Sequence, residues 1–168
     1  RWTHELMRRA GTLAPLKYWV QLPSNVDADK NRRWPTILYL HGAGDRGQPV
    51  SALSGTAAVR CPRELKPDTF IVIAPRCPAE SWWSLPAIED LLKEVIAKYP
   101  IDEDRLYLTG ASMGGFAAWA MAAEWPERFA AIVPLCGRGD PREAVRFKDV
   151  PVWAFHGARD SVVKVGDS

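Results

Sequence analysis

Hydrophobic and polar positions alternate along the chain in two rhythms. Residues 36–40 (Thr-Ile-Leu-Tyr-Leu), 70–74 (Phe-Ile-Val-Ile-Ala) and 130–135 (Ala-Ala-Ile-Val-Pro-Leu) are nearly continuous apolar runs. Strands buried on both faces read this way, which predicts a parallel sheet covered by helices. Shorter runs at 17–22, 105–109 and 152–155 bring the predicted strands to six. Between them, residues 86–99 place Ile88, Leu91, Leu92, Val95, Ile96 and Tyr99 at helical spacing, and Pro100 ends the pattern. Glu89–Lys93 and Glu94–Lys98 are expected as i,i+4 pairs on its wet face. Residues 114–124 are rich in alanine and apolar nearly all round, which predicts a helix buried against the sheet. Residues 25–34 and 137–146 read as exposed connectors. The β-α-β alternation predicts an α/β fold, in a single domain spanning residues 1–168.

Composition narrows the function classes. At 47% hydrophobic and 25% charged residues, the chain can bury a core, which excludes intrinsic disorder. No apolar stretch approaches the roughly 20 residues that span a bilayer, so no membrane-spanning helix is expected. The 22 basic and 20 acidic residues nearly cancel to +2. The basic clusters at Arg8-Arg9 and 30–33 are short and mixed with polar residues, so no nucleic-acid partner is expected. Cys61, Cys77 and Cys136 show no C-x-x-C spacing and indicate neither a zinc site nor a disulfide scaffold. A Cys61–Cys77 bridge would need an oxidising compartment. The chain starts at Arg1 with no leader pattern, and its localisation is not written in it.

The segment that carries chemistry is 105–119, Arg-Leu-Tyr-Leu-Thr-Gly-Ala-Ser-Met-Gly-Gly-Phe-Ala-Ala-Trp. It reads as strand, then G-x-S-x-G, then helix. A serine there sits on a sharp turn that lifts its hydroxyl above the sheet edge, with Gly110 and Gly114 where side chains would collide with the neighbouring strand and helix. Ser112 is therefore the candidate nucleophile. The bland alternative is a glycine-rich β-α turn without chemistry. Upstream, the strand at 36–40 runs into His41-Gly42-Ala43-Gly44. Such a turn can offer a backbone N–H to a substrate carbonyl oxygen, and the expected oxyanion donors are the amides of Ala43 and Met113. Downstream, the strand at 152–155 ends in His156-Gly157 and reaches Asp160, a carboxylate placed to orient a histidine. Gly42, Gly44 and Gly47 also spell G-x-G-x-x-G after a strand, the spacing of dinucleotide sites. Against that reading, Pro49 opens a poor helix, and no acidic residue for a ribose follows the next strand.

These stretches together resemble the α/β-hydrolase superfamily. More narrowly, they resemble small serine esterases grouped with dienelactone hydrolases, polyhydroxybutyrate depolymerases and prolyl-oligopeptidase catalytic domains. The resemblance rests on residues 34–47, 70–84, 102–127 and 133–160, and so covers most of the chain. It implies a mostly parallel sheet with helices on both faces, and hydrolysis of small carboxylic esters through an acyl-enzyme. It also implies no metal or organic cofactor. In that family the catalytic histidine follows the aspartate by a few tens of residues. This sequence ends soon after Asp160, and His4, His41 and His156 are poor substitutes. The expectation is a chain that stops before its last strand, last helix and histidine loop, with an uncovered sheet edge open to self-association. The competing expectation is an inactive α/β-hydrolase-fold binding or remnant protein. Trp82 and Trp83 follow the strand at 70–74, and one of the pair is expected to line an acyl or alcohol pocket.

Overall fold

The structure is a computed structural model that describes residues 15–168. Five strands form one sheet in the order β1-β3-β2-β4-β5. They are β1 (Tyr18–Gln21), β2 (Trp34–Leu40), β3 (Ile71–Pro75), β4 (Ile101–Ala111) and β5 (Ala131–Leu135). β1 lies antiparallel on β3, and every other pairing is parallel. Among the described residues, three α-helices accompany the sheet: α1 (Ala57–Leu65), α2 (Leu85–Lys98) and α3 (Met113–Glu124). A mixed, mostly parallel α/β sheet is what the apolar runs predict.

Each face of the sheet has its own core. Leu38, Leu40, Ile71, Ile73, Leu106 and Leu108 pack with α2 and α3. Tyr39, Val72 and Ala74 pack on the opposite face with Val59 of α1 and Leu53. Successive strand residues thus serve opposite cores, as the pleat requires, and β3 is buried at every position. The α2 helix starts where Ser84 accepts a hydrogen bond from the Ala87 amide at 3.4 Å, with Pro86 in its first turn. Glu89 pairs with Lys93 at 3.1 Å as expected. Glu94 does not pair with Lys98 but accepts from the Tyr18 hydroxyl at 3.2 Å, which pins the edge strand to the helix. Apart from Met113 and Met121, the buried residues of α3 are small (Gly114, Gly115, Ala117, Ala118, Ala120, Ala122 and Ala123), which lets the helix axis lie close to β4 and β5.

Three features differ from the sequence reading. The α1 helix was not expected, because Pro62 lies within it and its apolar residues are few. The predicted strand at 152–155 pairs with β5 only through two isolated parallel bridges, Ile132–Val152 and Leu135–Phe155. Trp153 and Phe155 there stack 4.8 Å apart with their side chains exposed. The connectors are also shorter than expected, since Trp34 already belongs to β2 and is fully buried, while Pro141–Phe147 forms a 3-10 helix. Cys61, Cys77 and Cys136 are all free thiols, so the Cys61–Cys77 bridge is not formed. Among the described residues, no helix is long and apolar enough to cross a membrane.

Candidate active site

Ser112 stands between the end of β4 and the start of α3, and its backbone is left-handed, with φ +51° and ψ −114°. Serine pays steric strain there, of order 1–3 kcal/mol, which the surrounding structure must over-determine. The over-determination is visible. The Ser112 amide donates to Leu135 O at 2.9 Å, and the Phe116 amide donates to Ser112 O at 2.9 Å. Gly110 and Gly114 supply the close approach: a Cβ at Gly114 would overlap the Leu40 carbonyl oxygen, and one at Gly110 would overlap Gly114 O. Strand β2, strand β4 and helix α3 therefore meet backbone to backbone. The Ser112 side chain caps no amide of α3. The first amides of the helix, Met113 among them, have no partner within it, and they add the positive end of the helix dipole beside the hydroxyl.

Gly42 lies against this turn, because a Cβ built there would stand 3.7 Å from Ser112 Cβ and 3.4 Å from Ala111 O. Ala43 follows in the 3-10 turn Ala43–Asp45, which buries no residue. The bonds that close the turn start from Asp45, to Gly42 O at 3.2 Å, and from Arg46, to Ala43 O at 3.3 Å, not from Ala43 itself. His41 is fully buried beneath it. Its Nδ1 donates to Gly42 O at 2.7 Å, and its Nε2 accepts from the Cys77 amide at 3.0 Å. Both ring nitrogens are thereby used in one neutral tautomer. Burial is the main cause that lowers the His41 pKa below its ordinary 6.5, helped by Arg46 and Arg76 and opposed by the Gly42 carbonyl and Asp45. The native state thus resists a proton that the unfolded chain accepts below about pH 6.5. Stability should be full above that pH and fall as the pH drops through it. Urea midpoints measured from pH 8 to 5 should show this acid limb, and His41→Gln should flatten it. An unchanged slope in the variant would assign the limb to other groups.

Asp160 ends a short loop after the second bridge. Its Oδ1 accepts from the amides of Val162 at 2.8 Å and Val163 at 3.0 Å. The amides of Val163 and Val162 hold its carboxyl below the usual carboxylate range. Its Oδ2 lies 3.6 Å from His156 Nε2. His156 Nε2 donates to Val163 O at 2.8 Å, and Nδ1 meets the Ser168 hydroxyl at 2.5 Å. Ser168 in turn donates to Gly137 O at 2.7 Å. His156 thus closes the Asp160 loop onto the segment that follows β5. Neither His41 nor His156 presents a ring nitrogen to Ser112; His4 lies outside the described residues.

The tryptophan pair divides. Trp83 is buried, donates its indole N–H to His41 O at 3.1 Å and packs its ring 4.9 Å from the imidazole. Trp82 is 42% exposed and stands edge-on to Phe116, 6.1 Å away, one helical turn after Ser112. Sequence reasoning did not single out Phe116, although its position one turn into the helix could have suggested it. The Cys77 thiol is buried and pushed up to about 11 by that burial, so it is no nucleophile at neutral pH. The glycines at 42, 44 and 47 open no helix: the chain runs through short 3-10 turns, and α1 begins only at Ala57. The helix N-terminus that a dinucleotide pyrophosphate needs is absent from that turn.

Comparison with known proteins agrees with this fold. The prolyl oligopeptidase family matches residues 84–164. Feruloyl esterase B of Neurospora crassa is 33% identical over 141 residues, covering 71% of this chain and 47% of that protein. Dipeptidyl-peptidase 5 of Porphyromonas gingivalis is 31% identical over 139 residues, covering 71% of this chain and 19% of that protein. The crystal structure of a thermostable esterase superposes with a TM-score of 0.76 at 32% identity, over 90% of this chain and 45% of that one. The chain therefore spans less than half the length of each of these relatives. With the parallel sheet, the left-handed Ser112 and the shared sequence all in agreement, this chain belongs to the α/β-hydrolase superfamily.

Proposed function

We propose that the chain carries the nucleophile and its surroundings for a serine carboxylesterase that acts on small carboxylic esters. The observation that carries the reading is Ser112, held in a strained left-handed turn at a helix N-terminus with its hydroxyl spent on no cap. In this reading Ser112 Oγ attacks the ester carbonyl carbon and its proton passes to a histidine. The tetrahedral oxyanion rests on the Ala43 and Met113 amides, the alcohol leaves with the proton, and water then releases the acid from the acyl-enzyme. Asp160 orients the imidazole and stabilises the imidazolium that forms when it takes the Ser112 proton. The base is a histidine other than His41 and His156, since the ring nitrogens of both are already bonded elsewhere. Trp82 and Phe116 flank the acyl or alcohol group. The esterases among the relatives support ester chemistry. A fluorophosphonate probe should label Ser112 in the full-length gene product, as read by peptide mass, and labelling at any other residue would overturn the assignment.

A second reading, a non-catalytic binding protein of the same fold, is favoured by one observation: the prior commitments of both described histidines. The oxyanion turn separates the two. Ala43 would act through its backbone, so Ala43→Ser should keep ester turnover within a few-fold. Ala43→Pro removes the N–H and should cost about 100-fold or more in kcat. Equal rates in the two variants would mean that this amide is no donor.

A further inference from the structure

One charged side chain on the turn that carries the Ala43 amide has no part in the reaction described above, and its position gives it one. The 3-10 turn Ala43–Asp45 buries none of its residues, so packing does not hold the Ala43 amide in place. Hydrogen bonds to the segment 76–83 hold it instead. Most of them grip the ends of the turn: the Cys77 amide on His41 Nε2 at 3.0 Å, the Gly47 amide on Cys77 O at 3.3 Å, and Arg76 Nη1 on Gln48 O at 3.2 Å. Arg46 reaches the middle. Its Nε donates to Ala43 O at 3.1 Å, and its Nη1 donates to Ser81 O at 3.1 Å. Ser81 O belongs to the peptide that leads directly into Trp82. One rigid guanidinium plane therefore sets the separation between the Ala43 turn, which follows the Gly42 that lies against Ser112, and the peptide that leads into Trp82, whose ring meets Phe116.

We infer that Arg46 is a positioning residue for ester hydrolysis, fixing the Ala43 amide where the oxyanion forms and tying it to the wall that carries Trp82. The inference rests on the esterase reading above. A donor displaced by even about 1 Å loses much of its value in the transition state, on the order of 100-fold, while ground-state binding hardly depends on it. Lysine is a poor substitute, because a single ammonium cannot satisfy two carbonyls in a fixed plane.

The test is burst kinetics with p-nitrophenyl acetate on the full-length gene product, Arg46→Ala and Arg46→Lys, with turnover expressed per titrated active site so that misfolded protein is not counted. Arg46→Ala should lose about 10- to 100-fold in kcat with KM changed less than about threefold. Arg46→Lys should recover little of it. Methylguanidinium at tens of millimolar should raise the Arg46→Ala rate severalfold and leave the parent unchanged. An Arg46→Ala variant with parental kcat per active site, or one deaf to methylguanidinium while Arg46→Lys is fully active, removes the positioning role and leaves the esterase reading standing. A parent without a burst at Ser112 overturns the esterase reading, and the role of Arg46 falls with it.

Discussion

Gly114→Ala is expected to unfold the protein at markedly lower temperature than the parent, by about 10 °C, and to lose the geometry of Ser112 with it. Helix propensity alone points the other way, since alanine inside a helix is favoured over glycine by about 1 kcal/mol. The obstacle is backbone. The added Cβ would overlap the Leu40 carbonyl oxygen, with Leu40 C 2.5 Å away and His41 O 3.0 Å away. None of these atoms can rotate aside as a side chain end could. Leu40 pairs with Gly110 in the β2–β4 ladder, so moving it pulls on the strand that delivers Ser112. Overpacking a core usually costs about 1–3 kcal/mol, and a backbone obstacle lies at or beyond the upper end, at about 3–5 kcal/mol. For a domain of this size each kcal/mol is worth about 2–4 °C, which gives the expected shift. Thermal unfolding by circular dichroism measures it. A variant as stable as the parent would mean that α3 does not approach β2 this closely.

That contact explains why some of the molecule was legible in the sequence and some was not. Strands β2, β3 and β5 announce themselves as nearly continuous apolar runs, most plainly β3, whose burial at every position leaves no room for polar residues. The α2 helix announces itself through its period and its stop before Pro100. The turn at Ser112 is legible because only glycine fits at 110 and 114, so a backbone constraint is written directly as residue type. The α1 helix is hidden. Pro62 removes one of its hydrogen bonds, and what holds it is the packing of Val59 against the sheet face of Tyr39 and Val72, a tertiary effect that no local pattern records. The segment at 152–155 is an apolar run like the other strands, yet only two of its residues form bridges to β5. The support of the Ala43 turn is hidden for another reason. The Arg46–Ser81 and His41–Cys77 bonds join a side chain to a backbone 35 or 36 positions away, and a carbonyl or an amide carries no residue signature. Asp160 lies between these extremes: its two bonds to the amides just after it are local, but its place beside His156 depends on the loop closing.

Ser112→Gly is expected to be more stable than Ser112→Ala while both lose ester hydrolysis by several orders of magnitude. Removing the hydroxyl abolishes acyl-enzyme formation whichever residue replaces it, leaving the small residual rate that binding and the oxyanion donors provide. Stability separates the two variants, because alanine keeps a Cβ at φ +51° and inherits the strain, whereas glycine occupies that region freely. The strain is worth about 1–3 kcal/mol, and the greater freedom of glycine in the unfolded chain takes back about 0.5–1 kcal/mol. Glycine should therefore lead alanine by about 1 kcal/mol, or roughly 2–4 °C in the unfolding midpoint. Urea unfolding of the two variants side by side gives the difference, with matched slopes needed to show that the unfolded states are comparable. Were alanine the more stable, the strain would have to be absent and the left-handed turn relaxed in solution. If glycine leads, the fold gives up stability at the residue whose half-buried hydroxyl caps no helix amide, which is where a nucleophile has to stand.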